Sequence, residues 1–269
     1  MAVSNVNTTL IISTYNWKEA LELSLLSAIN QTNPPAEIII ADDGSREDTK
    51  TLIDTYKSHL KIPITHIWQE DKGFRLASIR NKAIAASTKD YIIQIDGDII
   101  MHPEFIADHC RYAQKGVFLQ GSRGILTDQY TKELQNKKSI SISLLDSGLT
   151  RKENAIRFPL LTKLLLKRHK PKYPIYFTKG ANLSFWKSDL LKVNGYNETF
   201  EGWGHEDSEL ALRLINIGVK KFHLKFSAIV YHQYHKEDES KFNEPLNRKI
   251  LNKALEMKLT WTDNGITKK

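Results

Sequence analysis

A lone cysteine, Cys110, leaves the chain without a partner for an internal disulfide and without a thiolate set for a metal cage; it reads as a small buried helix residue. No stretch approaches the roughly 20 consecutive apolar residues that a membrane-spanning helix needs. The N-terminus lacks the basic, apolar and small-residue sections of a secretory signal. These absences predict a cytoplasmic protein. Nothing matches a helix-turn-helix, a zinc finger or an aromatic RNA-binding signature, so nucleic acid is not an expected partner. There is no internal repeat and no low-complexity segment.

Acids are scarce in one place. Between Arg151 and Lys172, the cations Arg151, Lys152, Arg157, Lys163, Lys167, Arg168, Lys170 and Lys172 face only Glu153, within a chain of net charge +8. They are interleaved with Phe158, Leu160, Leu161, Leu164, Leu165 and Leu166. Such a segment suits peripheral contact with an anionic membrane surface or a phosphorylated acceptor; an ordinary solvated helix with a core face is the alternative.

The 269 residues, 41% of them hydrophobic, are enough for one compact α/β unit. Short β-rich runs alternate with helical patterns through the first half, the mark of a parallel sheet. Strands are expected at Thr8 to Ser13, Glu37 to Ala41, Ile64 to Trp68 and Tyr91 to Ile95. Asn16 with Glu19 resembles a capping box for the first helix, and Ser45 a cap for a second helix reaching about Ser58. Leu76, Ile79, Ala83 and Ile84 mark a third. Four strand-to-helix turns then share one edge of the sheet, where open α/β folds bind ligands. Past residue 115 the alternation breaks. Strands are expected at Thr178 to Phe185 and Ser227 to Tyr231, a loop over Gly195 to Gly204, and a helix through Leu210, Leu214 and Ile217 that ends at Gly218. Pro245 opens a last helix with Leu246, Ile250, Ala254 and Met257 on its apolar face. The expected division is a nucleotide-sugar-binding half (1–114), an acceptor and catalytic half (115–244), and a C-terminal helix and tail (245–269).

Chemistry concentrates at the ends of these strands. Asp96-Gly97-Asp98 follows an apolar strand, and two carboxylates flanking a glycine can approach one hard divalent cation, Mn²⁺ or Mg²⁺, that neutralises a departing diphosphate. An ordinary turn is the plain reading of that triplet alone; its position after four strands favours the ligand reading. Asp42 and Asp43 close the second strand, where a carboxylate accepts from a pyrimidine N–H or a ribose hydroxyl; a turn and helix cap also explain them. Asp71, Gly73, Arg75, Arg80 and Asn81 gather in the third turn, where an arginine can meet phosphate oxygens or make a surface salt bridge. Phe200-Glu201-Gly202-Trp203-Gly204-His205-Glu206-Asp207 offers a flat indole for a sugar ring and two acids at a helix start. Acids in a first helical turn also suit the helix dipole. Asp207 is the candidate base for an attacking hydroxyl. His232 is a candidate third metal ligand, with His235 in competition.

Taken in order, STYN at 13–16, ADDGS at 41–45, GFRLASIRNKAI at 73–84, IDGD at 95–98, KGANLSFWKSDL at 179–190, FEGWGHEDSELALRL at 200–214 and YHQ at 231–233 resemble glycosyltransferase family 2. The likeness is to bacterial members with a galactosyltransferase-like C-terminal part, similar to chondroitin polymerase catalytic domains. The resemblance implies a GT-A fold, a UDP-sugar donor and inverting transfer to a carbohydrate or lipid-linked saccharide, as in lipopolysaccharide, O-antigen or capsule synthesis at the cytoplasmic face of the inner membrane. It assigns the nucleotide to Thr14, Tyr15, Asp43 and Arg80, with Asp42 and Asp71 beside them. Asp96 falls near the ribose and metal, and Asp98 and His232 on the metal. Asn182, Trp203 and Glu206 line the sugar sites, and Asp207 is the base. His205 stands where many relatives have glycine, and Ala181 where some do, which bears on the acceptor. A sugar-nucleotide nucleotidyltransferase would need a glycine-rich loop after the first strand, where Ser13-Thr14-Tyr15-Asn16-Trp17 stands. A catalytically inactive carbohydrate-binding relative would be expected to lose the acids, and all are present.

Overall fold

The computed structural model describes residues 6–166, 174–236 and 244–268. The first half runs β1 (Thr8–Thr14), α1 (Lys18–Ile29), β2 (Glu37–Asp42), α2 (Glu47–His59), β3 (Ile64–Trp68), α3 (Leu76–Ala86), β4 (Tyr91–Asp96), β5 (Ile99–Met101) and α4 (Phe105–Tyr112). After it come β6 (Val117–Gln120), β7 (Ser122–Leu126), α5 (Asp128–Lys137), β8 (Leu149–Thr150) and α6 (Pro159–Leu165). The remainder is β9 (Asn182–Trp186), α7 (Lys187–Lys192), α8 (Glu206–Asn216), β10 (Lys220–His223), β11 (Ile229–His232) and α9 (Glu244–Glu256).

Seven strands form the main sheet in the order β10-β6-β9-β4-β1-β2-β3, with β9 antiparallel to its neighbours β4 and β6. Buried parallel strands read as continuous apolar runs because helices cover both faces. Accordingly Leu10, Ile12, Ile38, Ile40, Ile93 and Ile95 pack on one side with Leu21 and Leu25 of α1 and Phe105 of α4. Ile11, Ile39 and Ile92 pack on the other with Ile79 and Ala83 of α3 and Leu210 and Leu214 of α8. Cys110 is buried within the first of these clusters. A second, four-stranded sheet in the order β5-β11-β7-β8 stands beside the main one.

Several local expectations change. Asn16 does not cap α1: its backbone is left-handed (φ 47°), its N–H donates to Ser45 Oγ and its Oδ1 accepts from the Arg46 N–H. That tie also takes Ser45 away from capping α2, whose N-cap is Arg46. The chain from Thr178 to Ala181 is not strand; β9 starts at Asn182. Likewise β11 begins at Ile229, two residues later than expected. In α9 the buried positions are Asn247, Leu251 and Ala254, while Leu246 and Met257 face outward. The helix is rotated by the demand of Asn247, whose amide donates to two loop carbonyls.

The basic segment is described only up to Leu166; Lys167, Arg168, Lys170 and Lys172 lie outside the described residues. Within it, Arg157 turns inward to Glu104 and Asp108. Helix α6 buries Thr162, half-buries Leu161 and Leu165, and presents Leu160 and Leu164, 73% and 65% exposed, to the outside, while Leu166 at its end packs on the main core. Among the described residues no helix is long and apolar enough to cross a membrane.

Candidate active site

The parallel register sets Ser13 of β1 beside Asp96 of β4, and Thr14 beside Asp42 of β2, so the ends of three strands meet at one edge. The turn after β4 packs directly on β1, with the Gly97 N–H donating to Ser13 O. A Cβ at residue 97 would come within 2.9 Å of that carbonyl, which is why glycine separates the two aspartates. From there β5 runs antiparallel to β11 with Ile99 opposite His232, and the Gln233 N–H donates 2.9 Å to Asp98 O. The small sheet thus delivers the histidine of Tyr231-His232-Gln233 to the second aspartate.

His232 Nε2 and His235 Nε2 lie 3.2 and 3.3 Å from Asp98 Oδ2. Ligand atoms of these three residues all fall within 4.8 Å of one another. Burial raises the affinity of Asp98 for a proton, but His232 and then His235 outweigh it and hold the carboxyl well below the usual range. The Asp98 contact in turn lifts His235 to about 9. Asp98 Oδ1 is buried without a hydrogen-bond partner. A buried acceptor left open beside two imidazole nitrogens is a fitting seat for a divalent cation. Both histidines, which competed in the sequence, reach the same carboxylate. Asp96 stands apart from this set, its Oδ1 accepting at 2.8 Å from Arg80.

Arg80 is fully buried and joins the two halves of the site. Its guanidinium donates to Ser13 Oγ at 3.3 Å, Asp96 Oδ1 at 2.8 Å and Asp207 Oδ1 at 3.0 Å, and lies 3.5 Å from Glu206 Oε1. With its donors committed to these groups, it organises the acids instead of presenting an open fork to a phosphate. Burial pushes Glu206 up to about 8, the neighbouring Asp207 carboxylate adds to this, and Arg80 opposes it. Glu206 therefore holds its proton at neutral pH. Asp207 Oδ1 also accepts from the Tyr196 hydroxyl at 3.1 Å. A Cβ on Gly180 would stand 2.4 Å from Asp207 Oδ2, so only glycine lets the segment leading into β9 pass the carboxylate. Neither Tyr196 nor Gly180 was singled out from the sequence. The KGANLSFW motif did contain Gly180, while no spacing rule points to Tyr196.

At the β2–β3 end of the edge, Asp43 accepts from the Gln69 amide and, at 2.7 Å, from the Arg75 N–H; burial raises its pKa against these bonds. Tyr15, half exposed, donates to Asp71 at 2.9 Å, which also accepts from the Gly73 N–H. Thr14 is buried at the same edge. Asp42 is completely buried, its Oδ1 accepting from the Ser45 N–H and its Oδ2 meeting His66, so it shapes the turn after β2. Asn182 donates its amide to Ser122 O and Ala228 O and its Oδ1 meets His109, so it ties the two sheets together.

Trp203 is 45% exposed at the mouth of the site. Its loop is pinned by the Gly202 N–H to Phe74 O and by Asn247 to Glu201 O and Trp203 O. His205 occupies a left-handed backbone (φ 74°), a conformation that glycine adopts without strain, and is held there by Glu244 at 2.8 Å.

The family model described as "Glycosyl transferase family 2" matches residues 9–178, and the one described as "N-terminal domain of galactosyltransferase" matches residues 163–236. Hyaluronan synthase of Pasteurella multocida is 27% identical over 89% of this chain and 25% of its own length. Chondroitin synthase of Pasteurella multocida (strain Pm70) is 27% identical over 96% of this chain and 28% of its own. The chain therefore spans about a quarter of the length of these relatives. In fold it resembles the mannosyltransferase PcManGT from Pyrobaculum calidifontis, solved with GDP-Man and Mn²⁺ (TM-score 0.60, 17% identity, 90% of this chain and 61% of that one). It also resembles GalNAc-T7, solved with UDP, GalNAc and Mn²⁺ (TM-score 0.64, 14% identity, 98% of this chain and 46% of that one). The mixed sheet with its acid-bearing edge is that of a GT-A glycosyltransferase fold. Within that class, the chain belongs to glycosyl transferase family 2.

Proposed function

We propose that this chain transfers a sugar, with inversion, from a UDP-sugar to a carbohydrate or lipid-linked saccharide in the synthesis of a lipopolysaccharide, O-antigen or capsular chain. The observation that carries the proposal is the bridge made by Arg80, which sets Asp207 on one arm and Asp96 on the other, beside the Asp98, His232 and His235 cluster. In this reading residues 1–114 bind the nucleotide sugar and residues 115–244 bring the acceptor and the base.

Asp98, His232 and His235 hold a divalent cation, and two imidazoles favour Mn²⁺ over Mg²⁺, which prefers oxygen ligands. When bound, the ion neutralises charge on the departing diphosphate. Thr14, Tyr15, Asp43 and Asp71 hold the nucleoside at the β1–β2 edge. Trp203 offers its indole face to a sugar ring. Because Glu206 keeps its own proton, base duty falls to Asp207. Its carboxylate takes the proton from the acceptor hydroxyl as that oxygen bonds to the anomeric carbon and the bond to UDP breaks. Arg80 and Tyr196 fix the orientation of Asp207 for that step. The outward Leu160 and Leu164, next to Lys163, support a peripheral seat on anionic lipid at the cytoplasmic face of the inner membrane.

The decisive experiment is a panel of UDP-sugars with Mn²⁺, following slow donor hydrolysis without acceptor and then transfer. Asp98→Ala should weaken Mn²⁺-dependent UDP binding. Asp207→Asn should retain UDP binding and lower the transfer rate by about 10²- to 10⁴-fold. Normal turnover by Asp207→Asn would remove it as the base.

A further inference from the structure

Three cations near the acids remain outside the roles described. Arg123 lies on β7, in register with Val230 of β11, and His232 is in register with Ile125. Residues alternate between the two faces of a strand. Ser122, Gly124 and Leu126 are buried on one face, so Arg123 and Ile125 emerge on the face that carries His232. Arg151 follows Thr150, which pairs with Ile125, and holds a left-handed backbone (φ 50°). Lys179 directly precedes Gly180, the residue against the Asp207 carboxylate.

The buried arginines elsewhere are matched: Arg80 with Asp96 and Asp207, and Arg213 with Glu209. Among the described residues, Arg123, Arg151 and Lys179 have no salt bridge. Their own charges are felt mutually. Partial burial lowers the pKa of Lys179, and Arg123 and then Arg151 lower it further. Burial lowers Arg123 too, with Asp96 and Asp98 opposing and Arg151 adding to the effect. Among the described residues these three positive charges, drawn from separate segments, make no ion pair of their own, and Asp96 and Asp98 act on Arg123 only beyond salt-bridge distance, an arrangement open to a further anion.

The cations also lie on a particular side. The nucleotide edge is built on β1 and β2, whereas Lys179 leads into β9 on the opposite side of β4, and Arg123 and Arg151 belong to the small sheet. We propose that Arg123, Arg151 and Lys179 form a seat for an oxyanion carried by the acceptor, a sugar carboxylate or a phosphate, and so select an acidic acceptor. This deepens the transferase reading and rests on it. The seat holds the acceptor by its charge while Asp207, whose carboxylate lies against Gly180 next to Lys179 in the chain, meets the hydroxyl.

The test is calorimetry on the whole chain saturated with UDP and Mn²⁺, titrated with glucuronate, glucose 6-phosphate and glucose. At least one acid should bind about tenfold more tightly than glucose, and added salt should weaken it. The stronger of the two acids identifies the source of the oxyanion. Lys179→Gln and Arg151→Gln, both surface changes, should each remove most of that preference and leave UDP affinity within about twofold; Arg123→Gln should do the same where it folds. Equal binding of the three sugars overturns the seat, as does an undiminished preference in the variants. A parallel loss of UDP affinity also overturns it, since the cations would then serve the donor diphosphate. Failure of UDP to bind the unmodified protein sinks the transferase reading and the seat together, whereas normal UDP binding with no preference for acids sinks the seat alone.

Discussion

At the β2–β3 end of the ligand edge, Asp42, Asp43 and Asp71 are met by backbone N–H groups, a glutamine amide, a histidine and a tyrosine hydroxyl. At the β4–α8 end, Asp96, Asp98, Glu206 and Asp207 are met by Arg80, His232 and His235. Most partners at the first end come from the adjoining turns and are neutral donors. Those at the second end are charged or titratable and come from distant parts of the chain. Neutral donors hold an acid in place at modest net benefit, about 1 kcal/mol each. A buried cation shared by several carboxylates is different, because none of the parties is stable in the interior without the others. The first end is consequently suited to recognising a ligand by shape and hydrogen bonding, the second to tolerating changes of charge during a reaction.

Removing the shared cation should have the largest effect. Arg80→Met leaves Asp96 and Asp207 without their counter-charge and should cost about 3–5 kcal/mol in urea unfolding. A loss below about 1 kcal/mol would mean that the acids compensate one another by protonation, and the contrast between the two ends would collapse.

Glu206 sharpens the same contrast through pH. Its folded pKa, about 8, lies above the ordinary value of 4.5, so between these values the folded state keeps a proton that the unfolded state has lost. That contribution to stability is complete below about pH 4.5 and is lost as pH rises through 8. Glu206→Gln should remove the slope. Unfolding followed at pH 5, 7 and 8.5 should show the variant gaining on the parent protein toward alkaline pH, by on the order of a few kcal/mol. Parallel curves would mean that Glu206 is ionised in the folded protein. At the other end, Asp71→Asn keeps an acceptor for Tyr15 and Gly73 at an exposed position. It should change stability by no more than about 0.5 kcal/mol, and a larger change in Tm would place a hidden charge there.

The same division governs what could be read from the sequence. Strands β1, β2 and β4 were legible because each is a run of apolar residues buried on both faces, the edge strand β3 through its β-branched and aromatic residues, and the parallel pairing brings Asp43 and Asp96 to one edge. Of the small sheet only β11 was legible, since β5 has three residues and β8 only two, too few for a periodic pattern. The structural bonds of Asp42 and Asn182 were not legible, because a polar residue at a strand end looks the same in sequence whether it faces a ligand or a backbone group. Arg80 was visible as a charge among the apolar positions of α3. Its partner Asp207 is 127 residues further on, and only folding shows that they meet. Asn16 and Ser45 fit a capping pattern, yet each found a better partner in the other's turn.

The last helix carries an implication of its own. Glu244 and Asn247 of α9 grip His205 and the carbonyls on either side of Gly202, so a segment remote from the acids holds the backbone of the loop that carries the exposed indole. Under the proposed reading, in which Trp203 meets a sugar and Asp207 is the base, α9 becomes a lever on acceptor choice that leaves the reacting carboxylate untouched.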